Sequence, residues 1–324
     1  MSDSERDDTD VKHPRETAVL FGHEEAEQPL LQSYQSGRIA HAWLIGGPPG
    51  IGKATLAYRI ARFVLAHPDP AAPEVQQAAT LAVAADHPVT RRIAADAQGD
   101  LLVLRRTINP DTGRLYTAIR VEDVRRTISF FGSTAGEGGW RVCIVDTADE
   151  LQYPQASNAL LKVLEEPPPR ALFLLVSHSP GQLLATIRSR CRRLALRPLA
   201  AEDVARAAAD ATGRAADEKD IREASAAADG SVARALSLLD GSGLDLRQKV
   251  VDALAQLPRP DPRTLHTLGD ALAGSEPRVL ASFMDVVNGW LSERLTDGAQ
   301  DARRMARLAQ AWERINRTAR DVDT

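Results

Sequence analysis

The chain has 324 residues, 44% hydrophobic and 26% charged, an ordinary soluble globular composition with material for two to three domains. Its two cysteines, Cys143 and Cys191, exclude a disulfide scaffold and a cysteine-rich zinc module, and apolar runs such as Ala171–Val176 fall far short of the roughly 18 residues of a membrane span. Residues 1–16 carry six acids and three bases within a net charge of −4, so the remainder is almost neutral and lacks the basic excess of a stand-alone nucleic-acid binder.

The opening MSDSERDDTD is acidic and without apolar periodicity. Residues 1–16 are expected to form a disordered tail, and a segment so unlike a secretory leader points to the cytoplasm. A buried strand is expected at Ala42–Ile45, because four apolar residues are too few for a helix and a turn signal follows. Behind it stands Gly47-Pro48-Pro49-Gly50-Ile51-Gly52-Lys53-Ala54-Thr55, and a helical pattern runs over Thr55–Ala66. Strand, glycine loop and helix form the context of a phosphate-binding loop. Glycines let backbone N–H groups face phosphate oxygens, the helix start adds partial positive charge, and Lys53 reaches the terminal phosphates. A Gly/Pro-rich turn would account for the glycines, but not for a lysine at this spacing.

The loop is incomplete. A hydroxyl normally follows the lysine to ligate magnesium, and here the residue is Ala54; Thr55 lies about 100° further round the helix. Residues 67–100 are hard to read: Pro68, Pro70, Pro73 and Pro88 bound an Ala-rich helix expected near Glu74–Ala85. His67 and His87 stand there without a neighbouring cysteine, so no metal site is expected.

Further strands are expected at Leu101–Leu104, Val142–Val145 and Leu172–Val176, with a helix at Val121–Phe131 and a fifth strand around Leu194–Leu196. Strands alternating with helices give an α/β class with a parallel sheet covered on both faces. Val142-Cys143-Ile144-Val145-Asp146 ends in an acid that suits either a magnesium-side carboxylate or a turn cap. Thr147 follows it where a water-orienting Glu would stand, with Asp149 and Glu150 beyond. The phosphate site is therefore expected to hold ATP weakly or statically, with hydrolysis doubtful and magnesium binding weak or absent.

The segment Asn158–Glu166 is amphipathic and is stopped by Pro167–Pro169. Asn158, Lys162 and Glu165 face either a neighbouring subunit or solvent, and Ser177 and His178 are either a polar sensor or a turn cap. From Ala200 the texture turns helical, with short helices around Gly213 and Gly230 and a linker at Gly241-Ser242-Gly243. Helices then start at Asp261-Pro262 and Ser275-Glu276-Pro277, and Met305, Leu308, Trp312 and Ile315 mark a last one.

GGPPGIGKATLA, VCIVDTADEL, ASNALLKVLEEPPP, LLVSHSP and TIRSRC together resemble the delta-prime family of bacterial DNA polymerase III clamp-loader subunits, from about Phe21 to Leu199. The resemblance implies an AAA+ architecture: a nucleotide-binding α/β domain over 17–198, a helical lid over 199–241 and a C-terminal helical collar over 242–324. It implies ATP as the ligand of Gly47–Thr55 and Asp146. Its implied partners are gamma/tau motor and delta subunits in a hetero-pentamer, and through that assembly the sliding clamp and primed DNA, with no membrane contact. Arg190, within Ser189-Arg190-Cys191, is implied to act on a neighbouring subunit's nucleotide, a role suited to an always-charged bidentate guanidinium. Many relatives carry a zinc cluster between the phosphate loop and second strand; residues 67–100 hold no cysteine, so no zinc is expected. The motor subunits place an arginine in a lid GSxR pattern, whereas this sequence has Ala233, with Arg234 one position off. A catalytically active AAA+ ATPase using Thr55 and Glu150 is the alternative reading. A small-molecule kinase would fit the phosphate loop alone, without explaining TIRSRC or the helical C-terminal region.

Overall fold

The computed structural model describes residues 12–132, 139–240, 243–257 and 259–272, together with positions 279, 283, 284, 286–288, 290, 291 and 310. Two compact units make up the chain, Met1–Ala233 and Arg234–Thr324.

The first unit is built on a five-stranded parallel sheet: β1 (Ala42–Gly46), β2 (Leu101–Leu104), β3 (Arg141–Val145), β4 (Ala171–Ser177) and β5 (Arg192–Ala195), in the order β2-β3-β4-β1-β5. Register is set by pairs such as Leu44 with Leu175 and Ile45 with Val176. The central strands are buried on both faces, as parallel strands between helical layers must be. Alternate side chains serve two cores. Trp43, Ile45, Val142, Ile144, Leu172 and Leu174 pack in one, while Leu44, Cys143, Val145, Phe173 and Leu175 pack in the other. This is the expected α/β class with a parallel sheet covered on both faces, and the glycine loop leaves the end of inner strand β1.

Helices α1 (Glu24–Gln35) and α2 (Lys53–Ala66) cover the first face, where Leu30, Leu31, Tyr34, Leu56, Ile60 and Phe63 enter the core. Their contact contains a buried ion pair, with Arg59 Nε donating to Glu27 Oε1 at 2.7 Å. The same oxygen accepts the Leu81 N–H at 2.6 Å. The second face is covered by α5 (Val121–Gly132) and α6 (Gln155–Glu165), which pack on each other. Short helix α7 (Ala185–Arg190) also contributes Ile187 to the second core.

Several expectations are corrected. The helix expected at Glu74–Ala85 is absent; instead α3 (Pro73–Gln76) is one turn long, and α4 (Pro88–Ala94) follows after an irregular stretch. Side chains of α1 take the backbone of that stretch: Gln35 Nε2 donates to the carbonyls of Val75 and Ala78, and Gln28 Nε2 to that of Ala79. Strand β5 begins two residues before the expected Leu194 because its first side chains are exposed arginines rather than core residues. Within the acidic N-terminal segment, residues 1–11 lie outside the described residues. Lys12 and Arg15 are not loose: Lys12 pairs with Asp210 at 3.2 Å, Arg15 with Asp96 at 3.3 Å, and the Arg15 carbonyl accepts from buried Arg62.

Helices α8 (Ala201–Thr212) and α9 (Lys219–Ala227) pack together, and α10 (Val232–Leu239) follows Gly230. The boundary between the compact units falls within α10, rather than at Gly241–Gly243, of which Gly241 and Ser242 lie outside the described residues.

In the second unit, α11 (Gly243–Ala255) packs on α12 (Pro262–Leu272). Leu246, Val250, Ala253 and Leu268 share a core with Val286, Val287 and Leu291. The Asp261 carboxylate accepts the Arg263 N–H at 2.9 Å, the cap that Asp261-Pro262 predicts. The segment marked by Met305, Leu308, Trp312 and Ile315 lies outside the described residues. Among the described residues, no helix is long and apolar enough to cross a membrane.

Candidate functional site

The glycine loop leaves β1 and feeds α2, so the start of a helix faces the end of the sheet. Gly50 and Gly52 hold φ of +75° and +94°, backbone that L side chains rarely adopt. Gly52 caps α2 with no side-chain acceptor, so the first-turn N–H groups of Lys53, Ala54 and Thr55 have no intrahelical partner. That is the cradle a phosphate fits.

Lys53 is 3% exposed. Its ammonium donates to the Gly47 carbonyl at 2.7 Å and to the Pro48 carbonyl. Burial lowers its pKa to about 8, against the opposing pull of Asp149 and Asp146. Asp146, just beyond β3, shares this environment: burial raises its carboxyl, Glu150 adds to the rise, and Lys53 and Arg105 resist it. Lys53 and Asp146 therefore share one buried environment beside the glycine loop.

The magnesium side is less complete. Ala54 carries no hydroxyl. Thr147, in the position of a water-orienting acid, is 8% exposed, and its hydroxyl finds no partner among the described residues. Glu150 is engaged elsewhere, in a 3.0 Å ion pair with Arg106, and its carbonyl accepts the Ile119 N–H at 2.7 Å. Asp149 is engaged by the turn after β4: Oδ1 accepts from the Ser177 hydroxyl at 2.8 Å and the Ser179 N–H at 3.1 Å, while Oδ2 accepts the His178 N–H at 2.6 Å. Asp149 thus holds the turn after β4, and the Ser177 carbonyl accepts the Gly47 N–H at 3.2 Å, joining β4 to the glycine loop. Burial, and then Lys53, lower the pKa of the His178 imidazole. The residues present fit a phosphate group, but supply a poor ligand set for its magnesium.

Three further contacts lock the loop. His23 Nε2 donates to the Ile51 carbonyl at 2.7 Å from the start of α1, with its ring 5% exposed. Ser231 Oγ donates to the Pro49 carbonyl at 3.1 Å, and the Ala233 N–H to that of Gly50 at 3.2 Å. Ala233 thus touches the loop through its backbone, and a β-carbon added at Gly50 would lie 2.8 Å from the Ala233 methyl. His23 was not among the expected site residues: a lone histidine ahead of a helix gives no signal until the fold brings it to Ile51. The Gly230–Ala233 segment is visible in the sequence, but its hydrogen bonds to the loop are not.

Arg190 ends α7, its side chain 33% exposed. Nη2 donates to Glu165 Oε1 at 2.6 Å and Nη1 to the Thr186 carbonyl at 2.9 Å. Arg188 Nη1 donates to the Gly181 carbonyl at 3.3 Å. Cys191 is buried, which pushes its thiol up to about 11 and leaves it a packing residue. Asn158 and Lys162 are exposed on α6, on the helix that carries Glu165.

A family model described as DNA polymerase III, delta subunit, matches residues 22–200. DNA polymerase III subunit delta' of Pseudomonas aeruginosa is 37% identical over 166 residues, covering 51% of this chain and 46% of that protein. Its counterpart from Escherichia coli K12 is 33% identical over 177 residues, covering 53% of this chain and 46% of that protein. These alignments span about half the length of either relative. Among solved structures, the Thermotoga maritima RuvB Holliday junction branch migration motor aligns over 85% of this chain and 81% of its own, at 17% identity and a TM-score of 0.42.

Proposed function

Because the chain belongs to the DNA polymerase III delta-subunit family, matched over more than half its length, we propose that it is a delta-prime-like clamp-loader subunit in DNA replication. In this reading it joins gamma/tau motor and delta subunits in a hetero-pentamer that places a sliding clamp on primed DNA. Its own phosphate loop binds ATP weakly or statically, and Arg190 acts in trans on the nucleotide of an adjoining motor subunit. The site of action is the cytoplasm.

One observation carries the reading. Arg190 is partly exposed at the end of α7, on a chain whose own site combines Ala54, buried Thr147 and an Asp149 engaged by Ser177. A guanidinium offered to a partner is useful where the partner, rather than the donor, holds the competent site. Phosphate binding draws support from the cradle of Gly50, Gly52, Lys53 and the first N–H groups of α2. If ATP binds, these residues hold its phosphates, and Lys53 supplies the cation.

The test is Arg190→Ala in the assembled complex with all other ATPase sites blocked by lysine substitution. Turnover at the adjoining site should fall by about 10³-fold or more, with the chain still co-purifying. Unchanged turnover would overturn the assignment.

A further inference from the structure

Glu165 has no catalytic carboxylate task in the reading above, yet it makes the one side-chain contact of Arg190 that the described residues show. The two residues come from different helices. Glu165 is the last residue of α6, before the Pro167–Pro169 stop, and Arg190 is the last of α7. Each follows or precedes a buried anchor: Leu164 is 1% exposed and Cys191 8%, and both lie in the core under the second face of the sheet. The backbones at both ends of the pair are therefore fixed by packing, while the charged ends remain at the surface, 49% and 33% exposed.

An exposed ion pair of this kind contributes little to stability, because solvent screens it and both side chains lose rotamer freedom. Its consequence is geometric. A guanidinium has five N–H donors in one plane. Glu165 takes one from Nη2, and the Thr186 carbonyl takes one from Nη1. Two acceptors at different points of one plane set its orientation, and they leave Nε–H and one N–H on each terminal nitrogen to be offered outward. Without Glu165, only the Thr186 carbonyl would restrain the group, and it could turn about that single bond.

We infer that Glu165 is the positioning residue for Arg190, orienting its guanidinium toward the phosphate of an adjoining subunit. This inference rests on the proposal that Arg190 acts in trans. Glu165 touches no nucleotide; it works through the arginine it holds. The Cys191 thiol and the Leu164 side chain supply the rigid base on which the pair stands.

The experiment measures ATP turnover of the assembled complex, with the other ATPase sites blocked, for Glu165→Ala, Glu165→Gln, Arg190→Ala and the double Glu165→Ala/Arg190→Ala variant. Loss of orientation alone is expected to lower kcat about 10-fold in Glu165→Ala, since misplacement of a positioned group by about 1 Å can cost up to 10²-fold. KM for ATP should be unchanged, and so should co-purification and the thermal unfolding midpoint of the chain. Glu165→Gln keeps an acceptor at the same place and should recover most of the activity. The double variant should turn over no more slowly than Arg190→Ala. Wild-type kcat in Glu165→Ala, a kcat above wild type, an effect that adds fully to that of Arg190→Ala, or a Glu165→Gln as impaired as Glu165→Ala would each overturn the inference. Those results leave the trans role of Arg190 standing, whereas an Arg190→Ala complex with normal turnover removes both.

Discussion

Asp149 binds the far end of β4 through Ser177: the Ser177 hydroxyl, on a residue with no solvent exposure, donates to Asp149 Oδ1 at 2.8 Å. One carboxylate from the turn after β3 thereby organises three successive residues, because the His178 and Ser179 N–H groups reach it as well.

Removing that acceptor should be costly. Asp149→Ala leaves a buried hydroxyl and two backbone donors without their charged partner, a loss of about 2–4 kcal/mol. Asp149→Asn retains one side-chain oxygen and should lose less. Urea denaturation of the full chain measures both; an Asp149→Ala midpoint equal to that of the wild type would show that the clasp contributes nothing.

The pH dependence of Lys53 follows from its lowered pKa. The folded chain holds the ammonium at about 8, against 10.5 ordinarily. Between those values the unfolded chain binds the proton more tightly, so stability rises with pH across this window and the lysine is a net burden below it. The stability of the wild type relative to Lys53→Met should therefore improve between pH 8 and 10.5. Parallel urea titrations at the two ends of that window check this, and a constant difference would count against a depressed Lys53.

Gly50 is a position where the loop tolerates no side chain. Its φ is +75°, and an added β-carbon would collide with Ser231 Oγ and lie 2.8 Å from the Ala233 methyl. Gly50→Ala should cost about 1–3 kcal/mol. Gly99→Ala, where nothing lies within 4 Å, is the matched control and should stay within about 0.5 kcal/mol of wild type. Equal midpoints for the two variants would mean that Ser231 and Ala233 do not hold the loop as described.

The central strands were readable because burial on both faces produces short unbroken apolar runs, and turn residues bound them. The glycine loop was readable because backbone geometry and phosphate chemistry demand particular residues at fixed spacing. Helix α1 was not: Pro29 lies inside it, three glutamates crowd its first turn, and its buried residues Leu30, Leu31 and Tyr34 are few. The irregular stretch after α3 was misread as helix because alanines favour helix locally, while Gln28, Gln35 and Glu27 bind its backbone from another element. In the site, the spacing of Lys53 and the strand ending at Asp146 are local patterns that sequence can show, and the fold sets the two in one buried environment. His23 and the hydrogen bonds from Ser231 and Ala233 depend on long-range contacts that no local spacing encodes.

Among the described residues strand β5 pairs only with β1, and it leaves Arg192 and Arg193 exposed, the former guanidinium resting 4.8 Å over the Trp43 ring. A margin carrying fixed positive groups repels a second strand of the same kind and resists sheet-to-sheet aggregation. Copies of this chain are thus discouraged from zipping together backbone to backbone along that border.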